Sequence, residues 1–199
     1  MYLKSIELVD SRYRVTTVSN ALFDFTEKQL SHFDFSFGRA KLLGDMTPSS
    51  RDWTPLIANA SLLSRLRSLK LPRANRSFDN RPLELQIGTG NGFEIREFKN
   101  GYAMVGGSKL AFQLGKNYER LTGWVGFSPR AGQAGNLLFR VSCDGDVILE
   151  KAMNRGQMSE ATEIKLDVKD RERLVIEVDY LDGRAIGDLL HLCDWKVAK

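Results

Sequence analysis

The sequence predicts an all-β fold, a two-layer antiparallel sandwich preceded by a small β accessory unit. Three observations carry that prediction. From Leu83 onward, apolar and polar residues alternate with a period of two almost throughout. The alternating stretches are short and are separated by NG, DG and GG turn signals at the spacing of sandwich strands. No long helical pattern interrupts them.

The N-terminal residues to about Phe37 read as hairpin strands: LKSIELV, YRVTTVS, ALFDF and HFDFSFG are rich in β-branched and aromatic residues. GDMTPSSRDWTPL then breaks the alternation with two prolines and small polar residues, which places a domain boundary near residue 50. The expected units are 1–50, the accessory hairpins, and 51–199, the sandwich with its lead-in. In that lead-in, Leu62, Leu63, Leu66 and Leu69 stand at helical spacing behind Ser61, a potential cap, and Pro72 ends the run. An extended edge segment fits equally well. Its cations, Arg65, Arg67, Lys70, Arg73, Arg76 and Arg81, suit either a phosphate site or a solvated, ion-paired face. Ten strands are then expected: LELQIG, GFEIREF, YAMVG, SKLAFQLG, RLTGWVGFS, NLLFRVSCDG, DVILEKAM, TEIKLDV, RLVIEVDYL and LCDWKVA. Alternation puts Phe139, Val141 and Cys143 on one face of their strand, with Arg140 and Ser142 on the other.

Length and composition set bounds. The chain has 199 residues, enough for one sizeable core and an appendage, and 42% hydrophobic with 27% charged residues is a globular balance. No apolar run approaches the ~18 residues of a membrane helix. Twenty-nine basic against 25 acidic residues leave a net charge of +4 with the signs interspersed, so no nucleic-acid partner is required. The N-terminus lacks the pattern of a signal peptide, which leaves a cytoplasmic protein, a mature form or an excised fragment. Two cysteines without CxxC spacing make neither a disulfide framework nor a zinc site.

No nucleophile elbow, HExxH, phosphate-binding loop or strand-to-helix GxGxxG is present, and His32 and His191 have no motif context, so no catalytic residue is expected. GTGNG at 88–92 joins two strands, and CDGDV reads as an Asp-Gly hairpin turn. The loop DYLDGRAIGD offers Asp179, Asp182 and Asp188 as hard oxygen ligands for a structural calcium ion, without the spacing of an EF-hand.

The order NRSFDNRPLEL, GYAMVGGSKLAFQLGKNYERLTGWVGF, GNLLFRVSCDGDVILEKAM, IKLDVKDRERLVIEVDYLDG and CDWKVA resembles the NPCBM module, a carbohydrate-binding family, over about residues 70–199. Arg76, Ser77, Pro82 and Leu83 match its lead-in; Gly101, Ser108, Leu114, Gly115, Tyr118, Arg120 and Leu121 match the middle. Gly126, Phe139, Val141, Asp144, Gly145, Asp194, Trp195 and Ala198 match the remainder. The resemblance implies a galactose-binding-like jelly roll, a non-catalytic role in glycan binding, and an extracellular or cell-surface setting. It also implies that Cys143 and Cys193 lie on inward faces, so that a disulfide is open to them if their strands are neighbours. Two departures bear on sugar binding. Val105 and Leu192 stand where family members commonly carry histidines, and His191 lies one position early.

A sugar site needs an aromatic face for the apolar side of a pyranose, with polar side chains for its hydroxyls. Tyr102 and Tyr180, beside turns, are the expected platforms, with Asp182, Arg184, Asp188, His191 and Asp194 as polar partners. Trp195 joins this set, although a tryptophan packed inside with Cys193 on the same face is the alternative. Trp124 and Phe127 are further aromatics, and Arg130 and Gln133 occupy a glycine-rich loop on the same rim. The expected partner is a glycan. A protein-interaction module that has lost its sugar pocket is the competing reading, and neither involves a membrane, nucleic acid or an organic cofactor.

Overall fold

The computed structural model describes residues 3–17, 20–26, 29, 40–56, 66, 68–89, 92–157 and 160–199. The chain divides into two compact units, Met1–Ala40 and Lys41–Lys199. In the first, β1 (Leu3–Val9), β2 (Arg12–Thr17) and β3 (Leu22–Phe25) form a three-stranded antiparallel sheet. The expected strand HFDFSFG lies outside the described residues.

The second unit begins ten residues before the expected boundary at 50. Residues 41–50 belong to the sandwich because they complete it. Strand β4 (Ala40–Leu42) pairs with the last strand of the chain. Leu43, opening a single 3-10 turn, is 1% exposed in the main core, and β5 (Ser50–Trp53) follows. Of the leucine-rich lead-in, Leu66 and residues 68–70 are helical with Leu66 and Leu69 exposed; residues 57–65 and 67 lie outside the described residues.

All ten expected strands form. After the two-residue β6 (Arg73–Ala74) come β7 (Leu83–Thr89), β8 (Gly92–Phe98), β9 (Gly101–Val105), β10 (Ser108–Gln113), β11 (Arg120–Phe127), β12 (Asn136–Cys143), β13 (Asp146–Asn154), β14 (Thr162–Asp167), β15 (Arg173–Tyr180) and β16 (Leu189–Ala198). One sheet has the order β13-β12-β15-β10-β5, and the other β14-β11-β16-β9-β6. Leu110, Phe112, Phe139, Val141, Leu174 and Ile176 from the first sheet meet Tyr102, Met104, Leu121, Val125, Leu192 and Trp195 from the second. Each side buries the alternate residues of its strands, which is why the period-two pattern specifies this packing. The hairpin β7–β8 forms a third layer, with Leu83, Leu85, Ile87 and Phe98 against Ala103 and Cys193 on the far face of the six-stranded sheet.

The six-stranded sheet separates the two cysteines. Cys143, on β12, faces the inter-sheet core, and Cys193, on β16 of the opposite sheet, faces the hairpin. Both thiols are free and buried, so the condition for a disulfide fails. Cys193 and Trp195 also point to opposite faces. Asp194 adopts a left-handed conformation (φ 51°), and the pairing with β11 slips between Thr122 opposite Lys196 and Trp124 opposite Cys193. The extra residue is a β-bulge, which reverses the alternation. Leu190 and Leu192 precede it and Trp195 and Val197 follow it, all four in the inter-sheet core. The Trp195 ring fits because β11 has Gly123 beneath it, where a Cβ would stand 2.8 Å from the Trp195 Cα. The indole Nε1–H donates to the Trp124 carbonyl at 2.8 Å.

Asp144, at φ 54°, and Gly145 make the expected turn between β12 and β13. No helix among the described residues is long and apolar enough to cross a membrane.

Candidate functional site

The turn Gly106-Gly107 joins β9 to β10 and carries little side-chain bulk, so neighbouring groups close upon its backbone. A Cβ on Gly106 would stand 2.6 Å from the Tyr180 ring, and one on Gly107 (φ 78°) would meet that ring at 2.9 Å as well as the Thr54 carbonyl. These residues are bare because the tyrosine ring at the end of β15 lies against them. Around the turn, the Thr54 N–H donates to the Gly107 carbonyl (2.9 Å), the Trp53 indole to the Gly106 carbonyl (3.0 Å) and the Tyr180 hydroxyl to the Thr54 carbonyl (3.3 Å). Burial pushes the Tyr180 phenol above its usual range, so it remains a neutral donor near pH 7.

Tyr180 borders a groove of about 400 Å³ with Thr54, Pro55 and Leu56 on one wall and Lys109, Arg140, Glu177 and Asp179 along its base. The base has a regular origin. Glu150 pairs across the strands with Arg140, Arg140 with Glu177, Glu177 with Lys109 and Lys109 with Asp52, so one row of alternating charge crosses all five strands. Two of its contacts close as ion pairs at 2.8 Å, Arg140–Glu150 and Lys109–Glu177. The side chains of Arg140 and Glu177 are 28% and 27% exposed, so they are held in place and still reach solvent. A half-buried aromatic ring beside fixed donors and acceptors is an arrangement that holds a hydroxylated ring compound.

Of the residues expected from sequence, Tyr180 lines this groove, with Asp179 from the expected calcium set. Asp182 and Arg184 are exposed on the neighbouring loop, where the Asp182 carboxylate accepts the Arg184 N–H at 3.0 Å. Asp188 is 5% exposed behind Gly106; its Oδ1 accepts the Asn136 N–H (3.0 Å), while its Oδ2 has no hydrogen-bond partner among the described residues. Burial pushes the Asp188 carboxyl up to about 6, with the Asp182 charge adding to it. The expected calcium ligands do not converge. Asp179 accepts its own neighbour's N–H from Tyr180 (2.8 Å), Asp182 and Asp188 serve other backbone groups, and no cluster of metal-ligating side chains occurs among the described residues.

Three expected site residues are corrected to the interior. Tyr102 is 2% exposed, set edge-on against Phe112 with its hydroxyl directed at the Met46 carbonyl. Trp195 is 1% exposed and edge-on to Phe139. His191 is fully buried, with Nδ1 2.8 Å from the Glu84 carbonyl and Nε2 3.1 Å from the Ser77 hydroxyl. Nδ1 also lies 3.1 Å from the Glu84 N–H, so the ring can engage Glu84 and Ser77 in either neutral tautomer, and burial lowers the imidazole pKa to about 4. It pins the lead-in loop to β16. Asp194 is exposed at the bulge and Phe127 is buried, while Trp124 packs beside the hairpin layer. Arg130 is engaged by Asp79 (3.0 Å) and Glu84, and Gln133 is exposed.

Lys109, Arg140, Glu177 and Thr54 were not expected. Alternation already placed Arg140 opposite the core, but which strands flank it depends on sheet order, and no local pattern encodes that.

The fold has known counterparts. A CBM51 module from Clostridium perfringens GH95, solved with methyl-galactose, superposes with a TM-score of 0.64 at 16% identity over 80% of this chain and 99% of that one. A C. perfringens ZmpB structure of CBM51-2 with GlcNAc and INT domains gives 0.63 at 15%, covering 99% of this chain and 40% of that one. Tandem CBM51 modules of the Streptococcus pneumoniae family 98 glycoside hydrolase Sp3GH98 give 0.64 at 15%, covering 80% and 47%. These likenesses establish a shared galactose-binding-like sandwich. No curated protein matches the sequence. The NPCBM/NEW2 domain profile matches residues 56–199, most of the chain and nearly all of the sandwich, and the protein therefore belongs to the NPCBM/NEW2 family of carbohydrate-binding-module domains.

Proposed function

We propose that this protein is a non-catalytic glycan-binding domain that takes a neutral hexose of the galactose or N-acetylhexosamine type in the groove beside Tyr180. The observation that carries the reading is the placement of one partly exposed aromatic ring beside the Lys109–Glu177 and Arg140–Glu150 pairs. The apolar face of a pyranose stacks on Tyr180, while vicinal hydroxyls donate to Glu177 and Asp179 and accept from Arg140 and Lys109. The relatives solved with methyl-galactose and with GlcNAc support this ligand class. As a member of such a family it acts at the cell surface or outside the cell, where glycans are displayed.

A glycan array followed by calorimetry with methyl galactoside and GlcNAc tests the reading. Tyr180→Ala and Arg140→Ala are each expected to weaken binding at least tenfold while still unfolding cooperatively, with Tyr180→Ala less stable than wild type because its ring packs on the Gly106–Gly107 turn. Trp195→Ala is not a binding test, because that residue is core. An array without saturable signal, together with a co-purifying protein that Tyr180→Ala fails to release, would replace this reading with the protein-interaction one.

A further inference from the structure

The basic lead-in serves two ends. Arg73 is used internally: its Nη1 donates to the carbonyls of Ser77 (3.4 Å) and Phe78 (2.9 Å), and its guanidinium covers the Phe78 ring. Arg76 and Arg81 instead open, with Lys99 from the β8–β9 turn, onto a separate groove of about 610 Å³ walled by Asn75 and Asn80 and backed by Pro82 and Phe98.

The backbone that presents these cations is fixed. Asn75 (φ 59°) donates through Nδ2 to the Gly44 carbonyl (3.2 Å) and accepts the Gly101 N–H (3.1 Å). The Ser77 N–H donates to the Arg81 carbonyl (2.9 Å), the Asn80 N–H donates to the Ser77 carbonyl (3.1 Å), and the Ser77 hydroxyl is held by His191. The charges themselves are under-used. Arg76 and Lys99 make no ion pair among the described residues, and Arg81 has Asp79 at 3.9 Å. That carboxylate is already taken by Arg130 at 3.0 Å and by the Arg81 N–H at 3.2 Å. Glu97 is the single acid among the described groove residues, against three cations.

We propose that this groove is a second binding site, for a saccharide carrying oxyanions, either sulfate esters or uronate carboxylates. The groove offers mostly donors, so its ligand must bring acceptors and negative charge. The guanidinium forks of Arg76 and Arg81 and the Lys99 ammonium take the anionic groups, the Asn80 amide takes a ring hydroxyl, and Pro82 supplies apolar contact. The phosphate reading of these cations is weaker, since the groove lacks the stacked aromatics that nucleic-acid strands use.

The site stands apart from the Tyr180 groove, which shares none of its residues. Calorimetry on the whole chain with a heparin-derived hexasaccharide, its fully desulfated form and methyl galactoside is the test. The hexasaccharide is expected to bind, with affinity falling as salt rises from 50 to 300 mM, and the triple variant Arg76→Gln/Arg81→Gln/Lys99→Gln to lose at least tenfold. Retained affinity for the desulfated form assigns the contacts to carboxylates; its loss assigns them to sulfates. Tyr180→Ala keeps hexasaccharide binding whether or not the neutral-sugar reading holds. A charge-matched variant, Lys116→Gln/Lys165→Gln/Lys169→Gln, is expected to bind like wild type. Absence of binding, equal loss in the two triple variants, or equally tight binding of an RNA oligonucleotide of similar charge would overturn the proposal.

Discussion

At the scale of single residues, Asp188 and His191 lie three positions apart and impose opposite pH dependences. Asp188 has a folded-state pKa of about 6 against the usual 3.8, so between these values the folded chain keeps a proton that the unfolded chain has lost. Its stabilising share is complete below about pH 4 and is lost as pH rises through 6, about 3 kcal/mol at most for a shift of roughly two units. His191, at about 4 against 6.5, works the other way: its share is complete above pH 6.5 and is lost as pH falls through 4, again about 3 kcal/mol at most. Urea unfolding at pH 4, 6 and 8 separates them. Asp188→Asn is expected to be more stable than wild type at pH 8 and to lose that advantage at pH 4. His191→Gln is expected to be destabilised at pH 8 and to converge on wild type at pH 4. Profiles parallel to that of wild type would contradict this assignment. Neither role could be read from sequence, where both residues looked like ligands, because a polar side chain reads alike whether it faces water or a backbone carbonyl buried with it. The partial exposure of Tyr180 was legible because an aromatic residue at the end of a strand, next to a turn, tends to keep one face open.

At the scale of elements, β16 shows what alternation conveys and what it does not. Its existence and its apolar residues were legible, and ten strands from β7 to β16 followed the period-two pattern. The bulge at Asp194 was not, because one inserted residue leaves composition unchanged and exchanges faces only beyond it. A valine at that left-handed position is strained, so Asp194→Val is expected to cost about 1–2 kcal/mol, with Asp194→Gly costing less. On the facing strand, Gly123→Ala forces its methyl onto the Trp195 ring and backbone, for a loss of roughly 1–3 kcal/mol. Chemical denaturation of these three variants measures both effects; a Gly123→Ala protein as stable as wild type would exclude the close packing described. The hairpin β7–β8 was equally legible as two strands and illegible as a third layer, since its apolar residues do not say which face they will cover.

At the scale of the molecule, the sandwich was legible from strand count and turn spacing, whereas its boundary was misplaced because prolines and small polar residues look like a linker even where they complete a sheet. Leu43 is core, the Gly44 carbonyl receives Asn75, and the Ser49 N–H donates to Ala111 at 2.8 Å. A fragment of residues 41–199 is therefore expected to unfold cooperatively. One of residues 51–199 should be destabilised by at least the ~2–5 kcal/mol of deleting a buried leucine; equal melting of the two fragments would return the boundary to residue 50. The charge row across the five-stranded sheet has a kinetic consequence. Glu150, Arg140, Glu177, Lys109 and Asp52 alternate in sign and sum to a single negative charge, so the row projects only a weak field beyond a Debye length. On the proposed reading a neutral sugar, carrying no net charge, meets Tyr180 at an encounter rate indifferent to ionic strength, whereas the groove of Arg76, Arg81 and Lys99 would capture an anionic saccharide faster in dilute salt. The salt dependence of the association rate thus separates the two proposed sites on one small sandwich.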